Sequence, residues 1–125
     1  MPTINIRVDD GTVVCTPSGG NVRLRPGKPI TWVSSAPFTL QTFRVPVAGR
    51  TGPRLPSPGW PFREEPTHPP NVVRVEKPGS DGRFTFTGTL EEPGKDDPEA
   101  SEPGVYKCSI TVGELGLDPI IIVDR

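Results

Sequence analysis

The sequence predicts an all-β fold: a single β-sandwich of about seven to nine mostly antiparallel strands, carrying one long proline-rich loop. Three observations predict it. Short runs alternate apolar and polar residues, as in Ile4, Ile6 and Val8 or Phe84, Phe86 and Leu90, which is the period of a strand with one buried face. Turn signals such as Asp9-Asp10-Gly11 and Pro26-Gly27 punctuate those runs. No stretch sustains the 3.6-residue period of an amphipathic helix. The 125 residues read as one domain, 1–125, with enough length to bury a core.

Each element has its own warrant. Thr3 to Val8 is a strand, and Asp9-Asp10-Gly11 closes a hairpin onto Thr12 to Cys15. Ser18-Gly19-Gly20-Asn21 turns the chain into Val22 to Arg25, and Pro26-Gly27 turns it again. Ile30 to Ser34 is a strand holding Trp32. Pro37 to Val45 is extended. Phe38 and Leu40 alternate there, and then the apolar phase shifts to Phe43 and Val45, a shift that a β-bulge would produce. Val72 to Lys77 and Arg83 to Leu90 are strands on either side of the turn Pro78 to Gly82.

Two stretches interrupt this pattern. Residues 46–71 hold eight prolines in 26 residues, with Trp60 and Phe62 among them. So long a loop in a compact domain is usually functional or disordered. Stiff proline geometry with aromatic side chains suits contact with a partner, another copy of the chain being the candidate. Alternatively, Trp60 and Phe62 fold back to cap an open end of the sandwich. Residues 91–103 carry six acids and one lysine, yet their spacing lacks the ligand pattern and central glycine of an EF-hand. They read as a solvated acidic loop.

Charge and cysteine usage exclude several classes. With 14 basic and 15 acidic residues the net charge is −1, which argues against nucleic acid and against an anionic membrane as partners. The absence of a transmembrane run or a signal-like N-terminus in this sequence predicts a cytoplasmic protein. Cys15 and Cys108 lie in apolar, strand-like runs and read as buried free thiols. There is no C-x-x-C pair, and the single histidine, His68, sits in the proline-rich loop, so neither a metal nor another cofactor is expected.

The stretch from Glu102 to Arg125 organises the chain. Val105 to Val112 alternates, with Tyr106, Cys108, Ile110 and Val112 on one face. Gly113 to Gly116 turns, and Leu117 to Val123 is rich enough in branched residues to read as a strand buried on both sides. A bend at Val112-Gly113 pairs Ile110 with Leu115 and Cys108 with Leu117, apolar against apolar. It sets Lys107 directly across from Asp118. A one-residue slip would mix the faces.

Asp97-Pro98, Glu102-Pro103-Gly104 and Leu117-Asp118-Pro119 followed by Ile-Ile-Ile-Val resemble the bacterial DP-EP family of small β-sandwich proteins. The motifs cover the last quarter of the chain; length and all-β character extend the likeness to the rest. The resemblance implies self-cleavage at an Asp-Pro bond near the C-terminus, here Asp118-Pro119, and capture of the cleaved Asp by a lysine, here Lys107. A weaker resemblance joins Tyr106-Lys107-Cys108 and Gly113 to Gly116 to the ligand loop of cupredoxins. No His follows Cys108, leucines stand where the methionine would, and Phe38 holds the place of the first histidine. That likeness therefore extends to fold and excludes copper.

Chemistry carries more weight than the motif, since about one Asp-Pro pair is expected by chance and two occur. The Asp carboxyl reaches its own carbonyl carbon through a five-membered ring, a cyclic anhydride. Orientation of this kind lowers a barrier by up to ~7–11 kcal/mol. Water or a neighbouring amine then opens the ring. A competing route has a second carboxylate, Asp97, Glu102 or Glu114, activate water against the scissile carbonyl. The bland reading of Lys107 and Asp118 is a cross-strand ion pair worth ~0.2–1 kcal/mol. The sequence thus points to a single-turnover, self-cleaving endopeptidase whose substrate is its own chain. The alternative is a non-enzymatic binding or assembly module using the loop 46–71.

Overall fold

A computed structural model describes residues 3–45, 57–91 and 104–123. Eleven strands run through them: β1 (Thr3–Asp9), β2 (Thr12–Thr16), β3 (Val22–Leu24), β4 (Pro29–Ser34), β5 (Phe38–Val45), β6 (Ser57–Pro58), β7 (Val72–Val75), β8 (Phe84–Thr89), β9 (Gly104–Val112), β10 (Leu115–Leu117) and β11 (Ile120–Val123). Beyond the runs expected from sequence, the two-residue β6 is new. Leu115 and Gly116, expected within the turn, instead pair with β9 and join Leu117 as β10, and the expected run Leu117 to Val123 is broken at Asp118-Pro119. One sheet has the order β2-β1-β4-β8; the other is β3-β11-β9-β5-β6, with β10 also on β9 and β7 also on β5. Pairing is mostly antiparallel. The exceptions are β1 with β4 and β11 with β3, both parallel.

The sheets meet through the inward positions of each strand. Ile4, Ile6, Val13, Cys15, Ile30 and Trp32 come from one sheet; Phe38, Leu40, Cys108, Ile110 and Ile121 come from the other. The first hairpin follows its turn signal. Asp9 pairs with Thr12, leaving Asp10 and Gly11 as a two-residue loop with φ of 50° and 72°. Both residues of a type I′ turn need positive φ, and Asp-Gly supplies it at low cost. Val8 shares the face of Ile4 and Ile6 but lies near the strand end, where it is exposed.

Strand β5 contains no bulge. Its pairing with β9 is continuous from Thr39↔Thr111 to Val45↔Val105. The inward position after Leu40 is taken by Thr42, fully buried. Burying a hydroxyl is costly unless it is bonded, and the Thr42 hydroxyl donates to the Gly59 carbonyl. The backbone of Thr42 is held as well: its N–H donates to Asn71 O, and its carbonyl accepts from Asn71 Nδ2 at 2.6 Å. Phe43 and Val45 therefore lie on the outer face because the alternation continues through a polar residue.

The part of the proline-rich loop that is described, 57–71, packs on the molecule. Phe62 is buried and bridges Leu90, and it stands edge-on to Trp32, Trp60 and Phe86 at 5.1–5.9 Å between ring centroids. The Trp60 indole N–H donates to the Glu64 carbonyl. Trp60 and Phe62 thus fold back onto the sandwich; 46–56 lie outside the described residues. No helix among the described residues is long and apolar enough to cross a membrane.

Candidate functional site

The terminal hairpin turns through two residues, Gly113 and Glu114, closed by the pair Val112↔Leu115, with Gly113 at φ 61°. The same register runs through Leu117↔Ile110 and, beyond the break, Ile120↔Lys107. Asp118 therefore stands opposite Ser109, and Pro119 opposite Cys108. This corrects the sequence reading, which set Lys107 directly across from Asp118. The observed bend sits one residue beyond the expected one, which moves every cross-strand partner by two residues. A shift of two keeps every side chain on its face, so hydrophobic pattern cannot separate the two registers.

Lys107 and Asp118 nevertheless meet, as diagonal neighbours on the outer face. Lys107 Nζ lies 3.2 Å from Asp118 Oδ2, and the Ser109 hydroxyl donates to Asp118 Oδ1 at 2.8 Å. Each carboxylate oxygen thus has its own donor. The Asp118 side chain is 53% exposed and that of Lys107 38%, so water reaches both.

The backbone at this step is unusual for a sheet interior. The Cys108 N–H donates to the Pro119 carbonyl at 2.8 Å, but proline has no N–H to return, so the Cys108 carbonyl lacks its ladder donor there. That missing bond divides β10 from β11. Asp118 occupies the alternate, non-bonded position of the antiparallel ladder, so its carbonyl, the one joined to Pro119, points away from β9.

A second segment holds the far side of the bond. The Pro119 ring is buried, and Gly20 approaches so closely that a Cβ there would lie 3.2 Å from Pro119 Cβ and Cγ and 3.0 Å from Cys15 Cβ. Gly20 has φ 87°, which glycine adopts without strain. The neighbouring Asn21 accepts the Ile120 N–H on Oδ1 at 2.9 Å. Strand β11 itself is covered on one side only. Ile121 is 1% exposed and Ile120 37%, because alternate residues of a strand point to opposite faces and the outer face of this sheet carries no second layer among the described residues. This corrects the expectation of a strand buried on both sides.

Of the other carboxylates named from sequence, Glu114 sits at the hairpin tip, exposed. The strand β10 separates it from Asp118, placing their Cα atoms ~13 Å apart at ~3.3 Å per residue. The structure does not bring these two together. Asp97 and Glu102 lie outside the described residues. Ser109, Gly20 and Asn21 were not found by sequence reasoning. Ser109 has the right parity to share a face with Asp118, but only a register correct to the residue places it opposite.

The buried thiols lie beneath this site. Burial pushes the Cys15 thiol up to about 11 and raises that of Cys108 further; both cysteines are free. Comparisons with protein families, curated proteins and solved structures return no match.

Proposed function

We propose that this chain cleaves its own Asp118-Pro119 bond, once per molecule. The observation that carries the reading is the contact of Lys107 and Ser109 with the two oxygens of Asp118, at the one step of this strand where a proline interrupts the ladder. The DP-EP resemblance of the last quarter of the chain supports the same bond.

The chemistry balances as follows. A carboxylate oxygen of Asp118 bonds to the Asp118 carbonyl carbon, closing a five-membered anhydride. The bond to Pro119 nitrogen breaks, its electron pair stays on nitrogen, and nitrogen takes a proton from solvent. Water then opens the anhydride, leaving two carboxyl groups on Asp118 and a free N-terminus on Pro119. Lys107, after releasing a proton to solvent, is the other acceptor, and its attack forms an amide with Asp118. Both residues lie on the 1–118 side of the cut. Capture is therefore a cross-link within that fragment, lighter by one water than the hydrolysed form. With both groups open to solvent, water competes strongly with the amine. The free thiols suit a reducing compartment, in keeping with a cytoplasmic protein.

Intact mass spectrometry under denaturing conditions tests this. Wild-type protein should resolve into 1–118 and 119–125 with time, while Asp118→Ala remains full length. Cleavage of the Ala variant at the same bond and rate would overturn the anhydride route, and a wild-type chain that stays whole would overturn the function.

A further inference from the structure

We infer that the cut molecule holds a strand-binding slot between β3 and β9, and that its exchange partner is the C-terminal strand of a second copy of this chain. The inference rests on the cleavage proposed above. Strand β11 is an inner strand, antiparallel to β9 from Ile120↔Lys107 onward and parallel to β3 from Ile121↔Val22 onward. Without it, two unpaired ladders face each other across one strand's width, ~9.6 Å at ~4.8 Å per strand spacing. That is a template for strand addition from both sides.

The slot reads its occupant at defined positions. The first residue packs its ring on Gly20, where an added Cβ would lie 3.2 Å from the proline's Cβ and Cγ. The second gives its N–H to Asn21 Oδ1 but leaves its side chain exposed, so it is not selected. The third, Ile121, enters the core. After cleavage nothing covalent ties the strand to residues 1–118. The same segment from a second copy makes every one of these contacts, so exchange between copies leaves the contact energy unchanged. Occupancy then follows mass action.

The test uses cleaved protein refolded from denaturant with a tenfold excess of synthetic 119–125 peptide labelled at its C-terminal end. About nine in ten chains should carry label on gel filtration, as mass action at equal affinity requires. An Ile120→Asp peptide should compete normally. An Ile121→Asp peptide should bind about tenfold or more weakly, because it buries a charge. Uncut Asp118→Ala chains should take up none. Folded, cleaved protein that excludes the peptide, or that binds the Ile120→Asp and Ile121→Asp peptides equally, overturns the slot and leaves cleavage standing. A wild-type mass that never changes overturns the cleavage and the slot together.

Discussion

Lys107 and Ser109 divide one carboxylate between them, and they act differently. A lysine ammonium on a long stem is a mobile charge, whereas a serine hydroxyl directly opposite Asp118 fixes orientation. Ser109→Ala should therefore slow cleavage by several-fold, within about one order of magnitude, since positioning of a reacting group is what it removes. The bond lies on the exposed outer face of the sheet, so stability should move by no more than ~1 kcal/mol. The disappearance of full-length mass, read beside a urea midpoint, separates the two effects, and an unchanged rate would show that Asp118 is positioned without Ser109. A second carboxylate illustrates residue chemistry away from the site. Burial alone would raise the Glu64 carboxyl, but the Thr89 N–H at 2.6 Å and hydroxyl at 2.9 Å, together with Arg63, outweigh it and lower the net value. A carboxyl lowered in the folded state contributes stability above its unfolded value, and that stability is lost as pH falls through the folded one. Glu64→Gln should consequently be less stable than wild type at neutral pH, and the gap should close as pH drops below the ordinary carboxylate range. Thermal unfolding across that range checks it.

Among the elements, β8 and the segment carrying Phe62 depend on one missing side chain. A Cβ on Gly88 would lie 2.5–2.9 Å from three Phe62 ring carbons, and Phe62 is hemmed in by Trp32, Trp60 and Phe86. Gly88→Ala should cost ~1–3 kcal/mol, the usual penalty of overpacking, and a chemical-denaturation midpoint measures it. Most of the strands were legible in the sequence, because period two, branched residues and turn signals agree in those runs, whereas the two-residue β6 and the start of β10 carry no such pattern. Asp10-Gly11 even specified its loop. What pattern could not give was the second hairpin's register, since a shift of two residues leaves all faces intact. It also could not tell that Thr42 holds a core position, because its place is set by a bond to Gly59, seventeen residues away. The site was legible to the extent that Lys107 and Asp118 meet; their geometry and the presence of Ser109 were not.

At the scale of the whole molecule, the two thiols report on the packing of both sheets. Cys15 lies on one sheet and Cys108 on the other, and burial raises both above the ordinary thiol value of 9.0. A group raised in the folded state contributes stability below its unfolded value and loses it as pH climbs through the folded one. Stability should thus decline between pH 9 and about 11, and Cys15→Ser should flatten part of that slope in urea titrations. The parallel pairing of β3 with β11 has a kinetic consequence. Val22 meets Ile121 across about four-fifths of the chain, and closing so long a loop costs entropy before any contact is gained. Strands joined in this way form late, in the millisecond-to-second regime of sandwiches rich in non-local pairs. Until then the facing edges of β11 and β3 stay open, and the nascent sheet is exposed to misdirected pairing there for longer than at its local hairpins.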